Sequence, residues 1–209
     1  MSKKEQAPAL EPIPKSIMNV AWILVLGAIM PLLDSTMVNI AIQDLSVDFN
    51  VGLDFIQWAI TGFALAMAIS VPLVGWMVQR FNGKWLMIGA NILFLAASIA
   101  LGFSGSIYGL IIFRIFQGVG AGFIMTLLTT LVVEFAGRER MGRIMSTVAT
   151  PMVLGPILGP VIGAVIVEFL SWRYIFFVNI PVGILAITLM IMKLPNFTPV
   201  NRKAKFDFI

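Results

Sequence analysis

Two ionisable residues stand inside long apolar runs: Asp34 in the first such run and Arg114 in the fourth. A charge at the middle of a membrane helix costs roughly 2.5–3.5 kcal/mol on insertion scales, and such residues mark pathways or pair with one another. Asp34 lies eight residues before the end of its run near Ile42, and Arg114 eight residues after the start of its run near Ser106. On helices rising 1.5 Å per residue, each sits about 12 Å below the same boundary. The shared depth predicts that both face one central cavity. Burial disfavours the charged form of a carboxylate, and a neighbouring guanidinium favours it. A carboxylate held between these influences can take up and release a proton as a cavity opens and closes. The plainer alternative is a fixed ion pair that only joins two helices. Gln117, three residues past Arg114, shares its helix face.

Other chemistries lack their residues. The chain has no histidine and no cysteine, which removes the common zinc and haem ligands and the histidine-based triads. No nucleophile or paired-carboxylate constellation supports an enzyme, and no cofactor is implied beyond a proton as coupling ion.

The elements that must carry these residues are membrane helices. Of 209 residues, 59% are hydrophobic and 11% charged, against about 45–50% and 25% in a soluble domain. Apolar runs cover roughly 17–42, 55–78, 85–103, 107–135, 141–167 and 174–192. Each exceeds the roughly 17 residues a spanning helix needs, and none shows the alternation of a barrel strand. The fold class expected is therefore an all-α integral membrane bundle of six helices. Residues 1–16 read as a polar tail, 17–193 as the six-helix domain and 194–209 as a linker. Short connections, with Asn82-Gly83 as one tight turn, make sequential helices antiparallel neighbours.

Charge sets the expected orientation. Twelve of the 14 Lys and Arg fall in the tail, the second and fourth connections and the C-terminal segment. Basic residues accumulate in cytoplasmic loops, so both termini are expected in the cytoplasm of a multi-pass cell-membrane protein. Asp44, Asp48, Asp54, Glu168 and Arg173 fall on the opposite side. The net charge of +4 needs no nucleic acid; the basic tail reads as a topology signal or as a contact for anionic lipid. Trp58, Trp85, Trp172 and Tyr174, near helix ends, read as interfacial anchors.

Further patterns concern packing and movement. Pro72-x-x-Gly75-x-x-x-x-Arg80-Phe81 and Pro160-x-x-Gly163-x-x-x-x-Glu168-Phe169 recur 88 positions apart, in spans that run in opposite directions. That fits a three-plus-three inverted repeat, a plan common in secondary transporters. Gly118, Gly120 and Gly122 suit close helix packing. Gly155-Pro156-x-x-Gly159-Pro160-x-x-Gly163-Ala164, with Pro151 a turn earlier, suits a hinge or packing helix. Gly75 is expected to let helices pack closely, and Arg80 and Lys84 to flank a gate beside Glu134. Arg80 with Glu134 forms either a latch or two separately solvated charges.

Five stretches together resemble the major facilitator superfamily, in particular its fourteen-helix drug:proton antiporter branch (EmrB/QacA type). They are 33–41 around Asp34, Gly75 to Lys84, Arg114 to Gly122, Gly155 to Gly163, and Trp172 to Gly183. Gln79 and Asn82 depart from the usual Asp and Gly of the second stretch, Gln43 from a Pro, and Ala164 from a Gly. The resemblance implies the amino-terminal half of a transporter working by alternating access. It implies a lipophilic or cationic small substrate exchanged for a proton, with Asp34, Arg114 and Gln117 coupling the two. It also implies a cytoplasmic gate at Gly75, Arg80, Lys84 and Glu134, and a hinge at Gly155, Gly159, Pro160 and Gly163. A C-terminal half or second chain would complete the transporter. A half-size transporter acting as a dimer and a non-transporting membrane remnant or scaffold are the alternatives.

Overall fold

The computed structural model describes residues 13–197. The expected tail up to residue 12 and the linker beyond 197, with their basic residues, lie outside the described residues. The elements are α1 (Lys15–Ile40), α2 (Ile42–Phe49), α3 (Leu53–Arg80), α4 (Gly83–Gly102), α5 (Ile107–Ala136), α6 (Arg138–Phe169), α7 (Arg173–Phe177) and α8 (Asn179–Lys193). Among the described residues there is no strand. Six spans of 20–32 residues are long and apolar enough to cross a membrane: α1, α3, α4, α5, α6 and the α7–α8 pair taken together. Intrahelical bonding satisfies the backbone without water, which is why only helices serve here.

The boundaries depart from expectation in instructive places. The first apolar run forms α1, which stops at Ile40, and the connection expected after it holds the short helix α2 with Asp44 and Asp48. Asn50, at φ 50°, ends α2 in the left-handed conformation asparagine tolerates, and Ser46 bonds Val51 across that turn. Arg138, Arg140 and Arg143, expected in a loop, form the first turns of α6. The connection from α5 to α6 is Gly137 alone, at φ 81°, a conformation glycine adopts without penalty. Asn82 is not half of a two-residue turn but the cap of α4, its Oδ1 accepting from Lys84 N at 2.9 Å. Pro151, Pro156 and Pro160 all lie within the continuous α6. Each removes one ladder bond, which neighbouring groups in a membrane bundle can re-satisfy. Trp58, Trp85 and Tyr174 are exposed as interfacial anchors should be, but Trp172 is buried. Its Nε1 donates to Asp48 Oδ2 at 3.1 Å, and its ring packs on Phe49 and Phe176.

Contacts follow the repeat. α5 packs most extensively on α3 and α4, and α1 on α6, with α8 against α1 and α4. Matching the first three spans to the last three exchanges the α3–α5 contact with the α6–α1 contact. Glycines enable both, from different members of the pair. On α5, a Cβ at Gly118 would strike the Phe63 carbonyl and one at Gly122 would strike Ser70 and Met67 of α3. On the other side the glycines lie on α6: a Cβ at Gly159 would strike Thr36, and one at Gly163 would press on Met37 of α1. Gly120 turns instead toward Phe94 of α4. Gly75 does not pack as expected, since a Cβ there meets nothing within 4 Å.

Two apolar cores stack along the bundle. One gathers Leu24 and Met30 of α1, Met87 and Phe94 of α4, Ile124 and Leu131 of α5, and Met190 of α8. The other gathers Met37, Leu101, Leu110 and Phe176 toward the opposite end. On α1, α4, α5 and the α7–α8 span a buried polar residue lies between the two cores: Asp34, Ser98, Arg114 with Gln117, and Asn179.

Candidate functional site

That polar layer is the candidate site. α1 supplies Asp34, α4 Ser98, α5 Arg114 and Gln117, and the break between α7 and α8 supplies Asn179. All five are buried, Asp34 completely and Arg114 to within 1%. Arg114 Nη1 donates to Asp34 Oδ2 in an ion pair, and to Gln117 Oε1 at 2.6 Å. Gln117 Nε2 in turn donates to Asp34 Oδ1 at 3.0 Å. The three-residue spacing of Arg114 and Gln117 puts both on the carboxylate, as helical periodicity requires. Asn179 Nδ2 donates to the same Oδ1 at 3.2 Å and to Ser98 Oγ at 2.9 Å. Ser98 Oγ donates onward to the Phe176 carbonyl at 3.0 Å. Phe63 of α3 lies over the guanidinium, 4.3 Å from ring centroid to Cζ, a distance suited to a cation–π contact.

Burying one unpaired charge is costly, and pairing with further hydrogen bonds is what makes it tolerable. Asp34 meets that requirement with three donors from two helices, so its charge is shared across α1, α5 and the start of α8. The helix break belongs to this arrangement. Pro181 has no N–H to offer the Phe177 carbonyl four residues back, and the Phe176 carbonyl takes Ser98 as its donor.

The expected residues divide into three groups. Asp34, Arg114 and Gln117 come together, more tightly than two residues facing one cavity: Asp34 has no exposed surface, and Arg114 lines a groove between α1, α3 and α5. Gly155, Gly159 and Gly163 are buried against Leu32, Leu33, Thr36 and Met37, which flank Asp34 on α1; Pro160 stands beside them, half-buried. The expected gate residues are not gathered. Lys84 Nζ donates to the Ile191 carbonyl at 2.9 Å, Arg80 lies over Trp76 at 5.2 Å, and Glu134 is exposed near the end of α5. No ion pair joins Arg80 to Glu134 among the described residues.

Ser98, Asn179 and Phe63 were not singled out from sequence. Asn179 carried a signal, an amide within an otherwise apolar span; Ser98 and Phe63 carried none, since serine and phenylalanine are ordinary in membrane helices. At the far end, Arg173 pairs with Asp48 at 3.1 Å, both partly exposed.

Comparison with known proteins places this geometry. A multidrug resistance protein B homolog of Mycobacterium tuberculosis is 34% identical over 193 residues, covering 92% of this chain and 36% of that protein. Thus the chain spans little over a third of that relative's length. Among solved structures, the fold is similar to the proton:xylose symporter XylE bound to 6-bromo-6-deoxy-D-glucose, with a TM-score of 0.76 at 18% identity, covering 86% of this chain and 45% of the symporter. The peptide transporter POT in complex with alafosfalin gives 0.71 at 15% identity, covering 85% and 38%. The family described as Major Facilitator Superfamily matches residues 24–207. A six-span bundle with a buried carboxylate–guanidinium layer, matched over most of its length by that family, belongs to the major facilitator superfamily of membrane transporters.

Proposed function

We propose that the chain forms the amino-terminal half of a proton-coupled exporter of lipophilic or cationic small molecules, set in the cell membrane with both termini in the cytoplasm. The observation that carries this reading is Asp34, wholly buried and held by Arg114, Gln117 and Asn179 in the middle of the bundle. Asp34 is the proton site. Deprotonated, it accepts from all three donors and draws α1, α5 and α8 together. Protonated, it loses its charge and gains a donor in place of one acceptor position, which loosens its hold on Arg114. Arg114 thereby couples occupancy of Asp34 to helix position, and Gln117 steadies both. The glycine ridge of α6 rests on the α1 residues around Asp34, so a shift of α1 is passed to Gly155, Gly159, Pro160 and Gly163, the hinge of this reading. Gly75, Arg80, Lys84 and Glu134, apart in this conformation, come together as its cytoplasmic gate in the alternate one. Alternating access then lets substrate and proton occupy the site in turn.

Residues 17–193 act as one domain in this reading, and a second six-helix unit, from the same polypeptide or another chain, completes the path. The deciding experiment measures efflux of a fluorescent lipophilic cation from cells making the complete gene product, with and without collapse of the proton gradient. Gradient-dependent efflux that Asp34→Asn abolishes is the expected result. Efflux that survives collapse refutes proton coupling, and gradient-driven efflux retained by Asp34→Asn refutes its role as proton site. Absence of any transport by folded, membrane-inserted protein supports the alternative of a scaffold or remnant.

A further inference from the structure

The groove beside Arg114 has a chemistry of its own. It is an open groove of about 370 Å³ between α1, α3 and α5. Its α3 wall, from Ile60 through Met67 to Val71, is apolar, and its polar members are Ser35 and Arg114. The hydrogen bonds of the Arg114 guanidinium run through Nη1, which serves both Asp34 and Gln117. Its Nε is buried and has no partner. A buried N–H without an acceptor is an unmet cost and calls for an explanation. In a guanidinium, Nε–H and one Nη2–H point the same way, and this edge pairs side-on with the two oxygens of a carboxylate. Phe63 covers one face of the group, so the edge is the part left to a ligand. A cation finds no counterpart here: Asp34 is fully buried and both its oxygens are already engaged.

We propose that this groove is a subsite for lipophilic molecules bearing a planar oxygen acceptor, a carboxylate above all, and that they bind through the Nε–Nη2 edge of Arg114. The apolar body lies along Ile60, Ala64, Met67 and Ala68 while the oxygens meet the arginine. This deepens the export reading by narrowing what this half would select, and it rests on that reading only for the consequence that the bound molecule is carried.

Binding is measured with the purified full chain in lipid nanodiscs, by equilibrium dialysis corrected for empty nanodiscs. Three ligands share one apolar body: naphthoate, naphthamide and naphthylmethylammonium. Naphthoate is expected to bind at least about tenfold more tightly than the ammonium, with the amide between, because charge-assisted side-on pairing is among the stronger hydrogen-bonded contacts. Ala68→Phe fills the groove without touching the polar layer and is expected to weaken naphthoate binding about tenfold or more at unchanged melting temperature. Arg114→Lys keeps the charge but not the fork and is expected to lose the preference for naphthoate. The proposal is overturned if the ammonium binds as tightly as naphthoate. It is equally overturned if no ligand binds because lipid fills the groove, or if folded Ala68→Phe binds naphthoate as the unaltered chain does. Since binding is read rather than export, loss of proton-driven efflux with an intact naphthoate preference faults only the export reading. The reverse result faults only the subsite.

Discussion

Asn179 of α8 and Gln117 of α5 donate to the same oxygen of Asp34, at 3.2 Å and 3.0 Å. Asn179 sits where α7 gives way to α8, and its other contact, Ser98, bonds the Phe176 carbonyl at that break. One amide therefore ties the carboxylate to the discontinuity in the sixth span. Asn179→Ala removes two buried hydrogen bonds and leaves Gln117 as the amide that still donates to Asp34 Oδ1 and Ser98 Oγ. It is expected to destabilise the folded chain by about 1–3 kcal/mol, seen as a lower melting temperature in detergent. Asn179→Leu, similar in bulk but without donors, should lose at least as much; an unchanged melting temperature for both would mean the amide does not support the layer.

The ion pair beneath it calls for a double-mutant cycle. Arg114→Gln alone leaves a buried carboxylate without its cation, and breaking a buried pair in this way costs about 3–5 kcal/mol. Asp34→Asn alone leaves the converse. The combination removes both charges and is expected to cost less than the two single changes together, by about 1–3 kcal/mol. Reversible unfolding in mixed micelles gives the three values. Strict additivity would show that the two side chains act independently despite their contact.

Two glycines, Gly159 of α6 and Gly75 of α3, are expected to respond oppositely. Gly159→Ala forces a methyl group into Thr36 and toward the Leu33 carbonyl, 3.1 Å from the new carbon. Overpacking of this kind costs about 1–3 kcal/mol, and Thr36→Ala should restore much of the loss by removing the hydroxyl it meets. Gly75→Ala meets open space, so it should leave stability unchanged or raise it by up to about 1 kcal/mol through helix propensity. Melting temperatures of the three variants decide the matter.

Just past the end of α3, Asn82 does more than the glycine usual in the second resembling stretch could do. Its Oδ1 accepts from Lys84 N at 2.9 Å and from Phe197 N at 3.2 Å, capping α4 and holding the segment after α8. Asn82→Gly costs little as a cap alone, a few tenths of a kcal/mol by the usual ranking. It releases both amides, however, so hydrogen–deuterium exchange should accelerate at Lys84 and Phe197 while the middle of α4 is unaffected. Unchanged protection at Phe197 would show that another group holds that segment.

How much of this could be read from sequence depended on how rare each signal is. Asp34 and Arg114 stood out because a charge in an apolar run has few explanations, and helical rise alone placed them at one depth. Gln117 followed from its spacing. Ser98 could not be found this way: a hydroxyl raises little alarm in a membrane helix, and its role is created by α7 ending where it does. Arg138, Arg140 and Arg143 looked like a loop because they are basic, yet α6 simply begins before its apolar portion. Trp172 looked like an interfacial anchor by type and place. Only the packing of α2, an eight-residue helix hidden in the connection after the first apolar run, shows that it is enclosed beside Asp48. Gly75 matched Gly163 in pattern, but pattern does not say whether a neighbour is there.

The placement of the packing glycines sets a mechanical condition on the bundle. In one seam the tightest approaches are made by Gly118 and Gly122 of α5 on α3, with Gly62 of α3 against Ile115; in its counterpart Gly155, Gly159 and Gly163 of α6 press on α1. Corresponding positions therefore do not carry the close approach in both seams, although glycine is the residue that makes it in each. The two seams meet at the Asp34–Arg114 pair, which joins α1 of one to α5 of the other, so a change in one is felt in its counterpart. A bundle whose two halves repeat one another in outline is thus uneven in where its helices come closest. In the α1–α6 seam beside Asp34, the close approach comes from the α6 glycines.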